Sequence, residues 1–285
     1  MNSFQPFSLN LHGQLVTFEK PVVMGILNVT TDSFYSGSRV GEDQIVEQAG
    51  KMLASGATFL DIGGQSSRPG AADIGEEEEY HRVIPAIEAV HRAFPEAYIS
   101  VDTWRGKLAT GAVNAGACMI NDISAGSMDA SMWPVVSELQ VPYVLMHMQG
   151  TPETMQANPQ YTDATAEIIR WFSGKIEALR AQFTGDILID PGFGFGKRMT
   201  DNYELLAALE EFRMFGCPVL AGLSRKKMIQ NACGVSTEEA LAGTIAANTI
   251  ALMYGASILR VHDVKEAADA IAIFMETRKA ARSRF

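Results

Sequence analysis

Cysteine is scarce: three residues, Cys118, Cys217 and Cys233, odd in number and without a short paired spacing. That excludes a disulfide framework and a zinc ribbon, and it suits a reducing cytoplasm. Basic charge is short as well. Against 33 acidic residues stand 23 Lys and Arg, a net charge of −10, with no tract that would displace counterions from a phosphate backbone. Nucleic acid is therefore not an expected partner. Leu241 to Leu259 is the most apolar late stretch, but Gly, Thr and Asn interrupt it, and the N-terminal residues lack the apolar core of an export signal, so no membrane association is expected. A Gly-x-Ser-x-Gly elbow is missing and the five histidines are scattered, which leaves no basis for a hydrolytic triad or a zinc set.

What the chain does have is apolar content, 47% over 285 residues, enough for one large core. Short apolar runs alternate with longer segments of helical period, the pattern of parallel βα units. Eight runs read as strands: Val22 to Leu27, Thr58 to Ile62, Tyr98 to Val101, Met119 to Asn121, Tyr143 to Met146, Ile187 to Ile189, Val219 to Ala221 and Ile258 to Val261. Helices are expected near Glu42 to Ser55, Glu76 to Ala93, Trp104 to Ala115, Ala130 to Leu139, Ala164 to Gln182, Asn202 to Phe215, Thr237 to Tyr254 and Val264 to Lys279. No linker divides the series, so residues 1–285 are expected to form a single α/β domain, a (β/α)8 TIM barrel, with an open doubly wound sheet as the weaker alternative. Phe7 to Phe18, alternating in polarity around Gly13, predicts an N-terminal β-hairpin that covers the barrel bottom.

Barrel active sites lie at the C-terminal ends of the strands. Here those ends are polar: Asn28, Asp61, Asp102, Asn121 with Asp122, His147, Asp190, Ser224 with Lys226, and Arg260 with His262. Each alone is explained as a cap or turn residue; eight around one rim point to a ligand. The loop Asn28 to Phe34 is rich in short oxygen-bearing side chains able to bind a hard cation or a phosphate oxygen, although by composition alone an ordinary helix-capping loop is the leading reading. Gly63 to Gly70, with Ser67 and Arg68, has the composition of an anion nest, against the plainer reading of a flexible loop. Glu76 to Glu79 reads as a solvated first helical turn. Asp190 to Lys197 offers backbone and the rings of Phe193 and Phe195 to a flat ligand, without being a Walker loop. Ser224-Arg225-Lys226-Lys227 opens a short helix and is expected to receive a carboxylate or phosphate. His147 is expected to be a satisfied supporting residue rather than a ligand.

These motifs resemble the dihydropteroate synthase family: Met24-Gly25-Ile26-Leu27-Asn28-Val29-Thr30, Asp61-Ile62-Gly63-Gly64, Ser100-Val101-Asp102-Thr103, Ile120-Asn121-Asp122, His147-Met148-Gln149-Gly150-Thr151-Pro152, Asp190-Pro191-Gly192, Ser224-Arg225-Lys226 and Arg260-Val261-His262-Asp263-Val264. The resemblance implies condensation of a dihydropterin pyrophosphate with 4-aminobenzoate. It places the pterin on Asp102, Asn121, Asp190 and Lys226. Pyrophosphate would fall to Asn28, Ser67, Arg68, Arg260 and His262, with Mg2+ on Asn28. Aminobenzoate would meet Ser67, Arg68, Phe195, Lys226 and Lys227. Asp102, Lys226, Arg260 and His262 would carry the catalysis, in a cytoplasmic homodimer built through the last helices. Thr31, Ser67, Lys227 and Asp201 depart from the family's common pattern, and Asp201 has no physical account from sequence. A pterin-dependent methyltransferase barrel and a pterin-binding protein without catalysis are the alternatives; the first needs no pyrophosphate site, and the second would bind ligand without turnover.

Overall fold

The computed structural model describes residues 4–29, 39–65 and 73–282. After a hairpin of β1 (Phe7–Leu11) and β2 (Gln14–Phe18), eight parallel strands follow: β3 (Val22–Asn28), β4 (Phe59–Gly63), β5 (Tyr98–Asp102), β6 (Met119–Asp122), β7 (Tyr143–Met146), β8 (Ile187–Asp190), β9 (Leu220–Ala221) and β10 (Ile258–Val261). The strands pair in the order β8-β7-β6-β5-β4-β3-β10-β9, and a parallel bridge from Ile189 to Val219 joins the two edges. Each strand pairs with its successor in the chain, which a barrel does and a doubly wound sheet does not.

Helices α1 (Arg39–Ala54), α2 (Glu76–Ala93), α3 (Gly106–Asn114), α4 (Met132–Leu139), α5 (Ala164–Arg180), α6 (Met199–Ala207), α7 (Lys227–Cys233), α8 (Leu241–Met253) and α9 (Val264–Arg282) surround the strands. Strand and helix positions match the sequence expectations within a few residues. The exception is Asn202 to Phe215, which splits into α6 and a 3₁₀ segment, Leu209–Phe215. Its buried residues, Leu209 and Phe212, are three apart, the spacing that keeps them on one face of a 3₁₀ turn.

Alternation along the strands sorts the core into two layers. Leu27, Leu60, Ile62, Ile99, Val101, Ile120, Leu145, Ile189 and Val261 face outward and pack under the helices. Met24, Phe59, Met119, Val144, Leu188, Leu220 and Ile258 face inward near the strand starts. There they meet Leu9, Leu11 and Phe18 of the hairpin, so β1 and β2 plug the barrel bottom as expected. Full burial of such side chains contributes about 1.5–3 kcal/mol each. With the lower half filled by hydrocarbon, the inward positions one step higher are left for chemistry.

Candidate active site

The same parity that aims Phe59 inward aims Asp61 inward, and with it Asp102, Asn121, Asp190 and Arg260. Arg260 Nε donates to Asp61 Oδ2 at 2.6 Å, and its Nη2 donates to Asp102 Oδ2 at 2.6 Å. Asn121 Nδ2 donates to Asp61 Oδ2 at 3.0 Å. One guanidinium thus lies between two carboxylates, and the second oxygen of Asp61 is buried without a hydrogen-bond partner among the described residues. Burial opposes the charge of Arg260, but Asp61 and Asp102 outweigh it and hold the guanidinium protonated. Burial raises Asp102 to about 7 against the pull of Arg260, with the Asp61, Glu79 and Asp122 carboxylates adding to the rise.

Across the mouth, Asp190 Oδ1 accepts the Gly192 amide at 2.7 Å, fixing the turn after β8. Burial raises its pKa against the charge of Lys226. Lys226 is lowered to about 8, by burial first, with Asp190 opposing and Arg260 assisting. Its ammonium donates to the Phe193 carbonyl and lies 4.6 Å from the centroid of the Phe195 ring. Gly194, at φ 82°, permits this contact: a Cβ there would stand 3.3 Å from the Lys226 stem in a backbone conformation side chains avoid. Between the polar walls lies a small apolar patch of Trp104, Ile123 and Met146, with Met148 and Phe195 against it. A slot with hydrocarbon and rings along its side, and carboxylates, an amide and an ammonium around it, suits a flat heterocycle bearing ring nitrogens and an amino group.

Residues expected at the mouth separate by parity. Asp122 follows inward-facing Asn121 and so faces the helices, where it accepts from the amides of Ser124 and Gly126 at 2.7 Å each and from Tyr143 Oη at 2.6 Å. His147 likewise turns away from Met146 and Met148. It is buried, edge-on to Trp171 at 4.9 Å, with Nδ1 3.0 Å from Lys197 Nζ, the supporting role expected of it. His262 remains exposed beside Arg260, and its Nδ1 lies 2.9 Å from Ser224 Oγ. Asn28 is exposed at the end of β3, paired in register with Gly63.

The basic turn after β9 corrects an expectation. Arg225, with φ 54°, points away from the site and clasps Asp263 through two 2.8 Å bonds, while its Nη1 donates to the carbonyls of Thr237 and Glu238. Of the three cations, only Lys226 is turned inward, and Lys227 is exposed at the first position of α7. A second correction concerns Glu76 to Glu79. Glu79 is fully buried and paired with Arg105, Glu78 holds Arg82, and Glu76 and Glu77 flank Lys107. Glu76, Glu77 and Glu78 stay solvent-accessible as a first helical turn, and the correction is Glu79, which Arg105 buries. Asp201 caps α6: its carboxylate accepts from Arg198 N at 2.7 Å and from the Arg198 guanidinium. Thr31, Ser67 and Arg68 lie outside the described residues. Among those residues no group of three or more His, Cys, Asp and Glu could cage a metal. No helix among them is long and apolar enough to cross a membrane.

Three features of the site were only partly legible in the sequence. Asp61 was visible as a polar strand residue, but nothing nearby in sequence names Arg260 as its partner. Lys197 reads as a loop end, yet it is buried. The apolar patch had a signal in Met146 and Met148, two apart and therefore on one side.

An inward-facing ring of acids, amide and cations at the top of a parallel barrel defines a class of barrel that grips a flat polar heterocycle, and the family of pterin binding enzymes matches residues 24–262. The chain is 44% identical over 273 residues to the dihydropteroate synthase of Escherichia coli K12, covering 94% of this chain and 95% of that one. It is 43% identical over 263 residues to that of Haemophilus influenzae, covering 91% and 95%. The Yersinia pestis dihydropteroate synthase structure with a sulfonamide drug superposes with TM-score 0.89 at 42% identity, covering 96% of this chain and 100% of that one. That of Xanthomonas albilineans with 4-aminobenzoic acid gives 0.87 at 41%, covering 96% and 99%. The chain belongs to the dihydropteroate synthases, transferases that form a C–N bond in folate synthesis.

Proposed function

We propose that three parts of the mouth divide the reaction of this family, in which 4-aminobenzoate displaces pyrophosphate from 6-hydroxymethyl-7,8-dihydropterin pyrophosphate to give 7,8-dihydropteroate. The observation that carries the reading is the inward ring of Asp61, Asp102, Asn121, Asp190, Lys226 and Arg260 beside an apolar patch. Asp102, Asn121, Asp190 and Lys226 hold the pterin, their acceptors and donors matching its amino-pyrimidine edge. Asn28, Ser67, Arg68, Arg260 and His262 take the pyrophosphate. Phe195, Lys226, Lys227, Ser67 and Arg68 border the aminobenzoate. Its arylamine is neutral at physiological pH, so the attack requires no strong base.

The path is dissociative. As pyrophosphate departs, positive charge develops on the exocyclic carbon conjugated with the electron-rich ring, and a fixed carboxylate near that carbon stabilises it. Asp102 is that carboxylate, and Arg260 and His262 balance the charge on the leaving group. Among the described residues, Asn28, exposed at the end of β3, would hold Mg2+ through its amide oxygen, since a hard cation that retains water needs no full protein cage. When bound, it neutralises charge on the pyrophosphate. The three cysteines are free, as a reducing cytoplasm requires. Ile250 and Met253 of α8 and Ile273 of α9 are exposed apolar residues on neighbouring helices, and a second copy of the chain covers them. Sulfonamides, which mimic aminobenzoate, compete for its site.

The test is pyrophosphate release from the purified chain given both substrates, with and without Mg2+. Turnover that depends on all three is expected. Tight pterin binding with no release would instead make the chain a pterin-binding protein without catalysis.

A further inference from the structure

Lys197 ends the loop Asp190-Pro191-Gly192-Phe193-Gly194-Phe195-Gly196 and is 3% exposed. Its Nζ lies 2.9 Å from the Gly192 carbonyl, 3.0 Å from that of Phe195, 3.2 Å from that of His147 and 3.0 Å from His147 Nδ1. Three N–H donors therefore meet four acceptors, and no carboxylate among the described residues forms an ion pair with them. Burial lowers Lys197 to about 7 even though the Asp190 and Asp201 carboxylates oppose the shift, so its charge is held there at a cost that an apolar side chain filling the space would not carry. What the Lys197 Nζ supplies is geometry: the carbonyls of Gly192 and Phe195, three residues apart in the loop, converge on one point, and the same point ties the loop to the end of β7. The approach is close enough that a Cβ on Gly192 would stand 1.9 Å from the His147 carbonyl oxygen.

The outer side of this loop faces the site. The Phe193 carbonyl receives the Lys226 ammonium, and the Phe195 ring lies under it. Other bonds brace the loop from its flanks: the Gly192 amide donates to Asp190 Oδ1 at 2.7 Å, Gln156 Nε2 to the Gly194 carbonyl at 2.6 Å, Tyr161 Oη to that of Gly196 at 3.0 Å, and the Gly194 amide to Asn202 Oδ1 at 2.6 Å. Phe195 N donates to the Gly192 carbonyl at 3.0 Å within the turn, and Lys197 is the side chain that binds the Gly192 and Phe195 carbonyls from beneath and ties them to His147.

We propose that Lys197 is a positioning residue for the second substrate: the loop folds around its ammonium, and this sets the Phe195 ring and the Phe193 carbonyl, and through them Lys226, where aminobenzoate docks. The proposal rests on the assignment of Phe195 and Lys226 to the substrate pocket made above. Lys197 touches neither substrate, so its loss should weaken aminobenzoate while the pterin, held also by Asp102 and Asn121 on other strands, is largely kept.

The experiment compares Lys197→Met with the unaltered chain, reading aminobenzoate KM and kcat by pyrophosphate release and dihydropterin pyrophosphate affinity by calorimetry. Losing hydrogen bonds from a charged donor is expected to raise aminobenzoate KM about 10-fold or more, while pterin affinity changes by less than about 3-fold. An unchanged KM, or equal loss of both substrates, overturns the proposal. Should Lys197→Met fail to fold, Lys197→Gln, which keeps two N–H donors and no charge, is expected to shift the same constant alone, and equal shifts in both overturn the idea. Lys226→Met separates the two claims: intact substrate binding there removes the pocket assignment and this proposal together. A damaged Lys226→Met beside an unaltered Lys197→Met removes the proposal alone.

Discussion

Arg260 and Asp61 are 199 residues apart in the chain and 2.6 Å apart at the barrel mouth, where Arg260 also reaches Asp102. Asp61 is the hub of this cluster, since its Oδ2 also accepts the Asn121 amide. Removing it leaves Arg260 beside one carboxylate and Asn121 without its acceptor. Asp61→Ala is therefore expected to cost about 3 kcal/mol of folding stability, as breaking a buried pair from one side does. Asp61→Asn, which keeps an acceptor, should cost less. Urea unfolding of both variants measures this, and equal midpoints for Ala and wild type would show the pair to be energetically idle.

Asp102→Asn addresses the chemistry. The substitution retains an acceptor for Arg260 but removes the charge proposed to face the developing cation, so kcat at saturating substrates should fall about 100-fold. Unchanged turnover would dismiss the role. The pH dependence follows from the raised pKa of about 7, set by burial against Arg260. The active carboxylate form fills as pH rises through that value, so wild-type turnover should carry an acidic limb that Asp102→Asn lacks. The stability sign is opposite. A carboxyl whose folded pKa lies above its unfolded one contributes most below the unfolded pKa, and the contribution is lost as pH rises to about 7.

The barrel was legible because its signal is periodic and repeated: eight short apolar runs, each followed by a helical period, admit few architectures. Polar strand ends were legible for the same reason, and Asp102, Asn121, Asp190, Lys226 and Arg260 do converge. Which side each end faces required the strand register. Asn121 and Asp122 look alike in sequence, yet a single residue of offset sends one into the barrel and the other under the helices. Partners across the barrel, such as Arg260 with Asp61 or Arg225 with Asp263, depend on three-dimensional closure that no local pattern encodes. Glu79 was misread because four consecutive glutamates look solvated until Arg105, from the next βα unit, arrives to bury one of them.

Lys227 lies exposed at the start of α7, one residue after the inward-turned Lys226. If aminobenzoate docks beside Lys226 as proposed, an exposed charge at Lys227 would act on its carboxylate as a field rather than as a desolvated contact, so Lys227→Ser should raise aminobenzoate KM only about 3-fold, with kcat kept. The difference should shrink as salt is added. An unchanged KM at low ionic strength would remove Lys227 from the pocket.

For assembly, Met253 is 52% exposed on α8, and Ile273 is exposed on the neighbouring α9. If a second copy covers this face, Met253→Glu places a carboxylate in an apolar interface and should shift light-scattering mass from dimer to monomer at micromolar concentration. A dimer that survives the change would locate the contact elsewhere, and a monomeric wild type would end the homodimer reading.

His147 ties stability to pH. Burial first, and then the Lys197 ammonium beside Nδ1, lower its pKa to about 2 against a weaker opposing backbone contribution. In the unfolded chain the imidazole titrates near 6.5, so below that pH the unfolded state takes up a proton that the native state refuses. Stability from this group is fully present above pH 6.5 and is lost as pH falls toward the folded value, at about 1.4 kcal/mol per pH unit. His147→Gln offers Lys197 an amide oxygen and cannot be protonated. It should cost a little stability at pH 8 through imperfect packing against Trp171, yet show a shallower decline in urea midpoint between pH 6.5 and 5 than the wild type. Parallel declines in the two proteins would mean that His147 takes up its proton in the folded state as readily as in the unfolded one, and that the Lys197 contact does not hold it neutral.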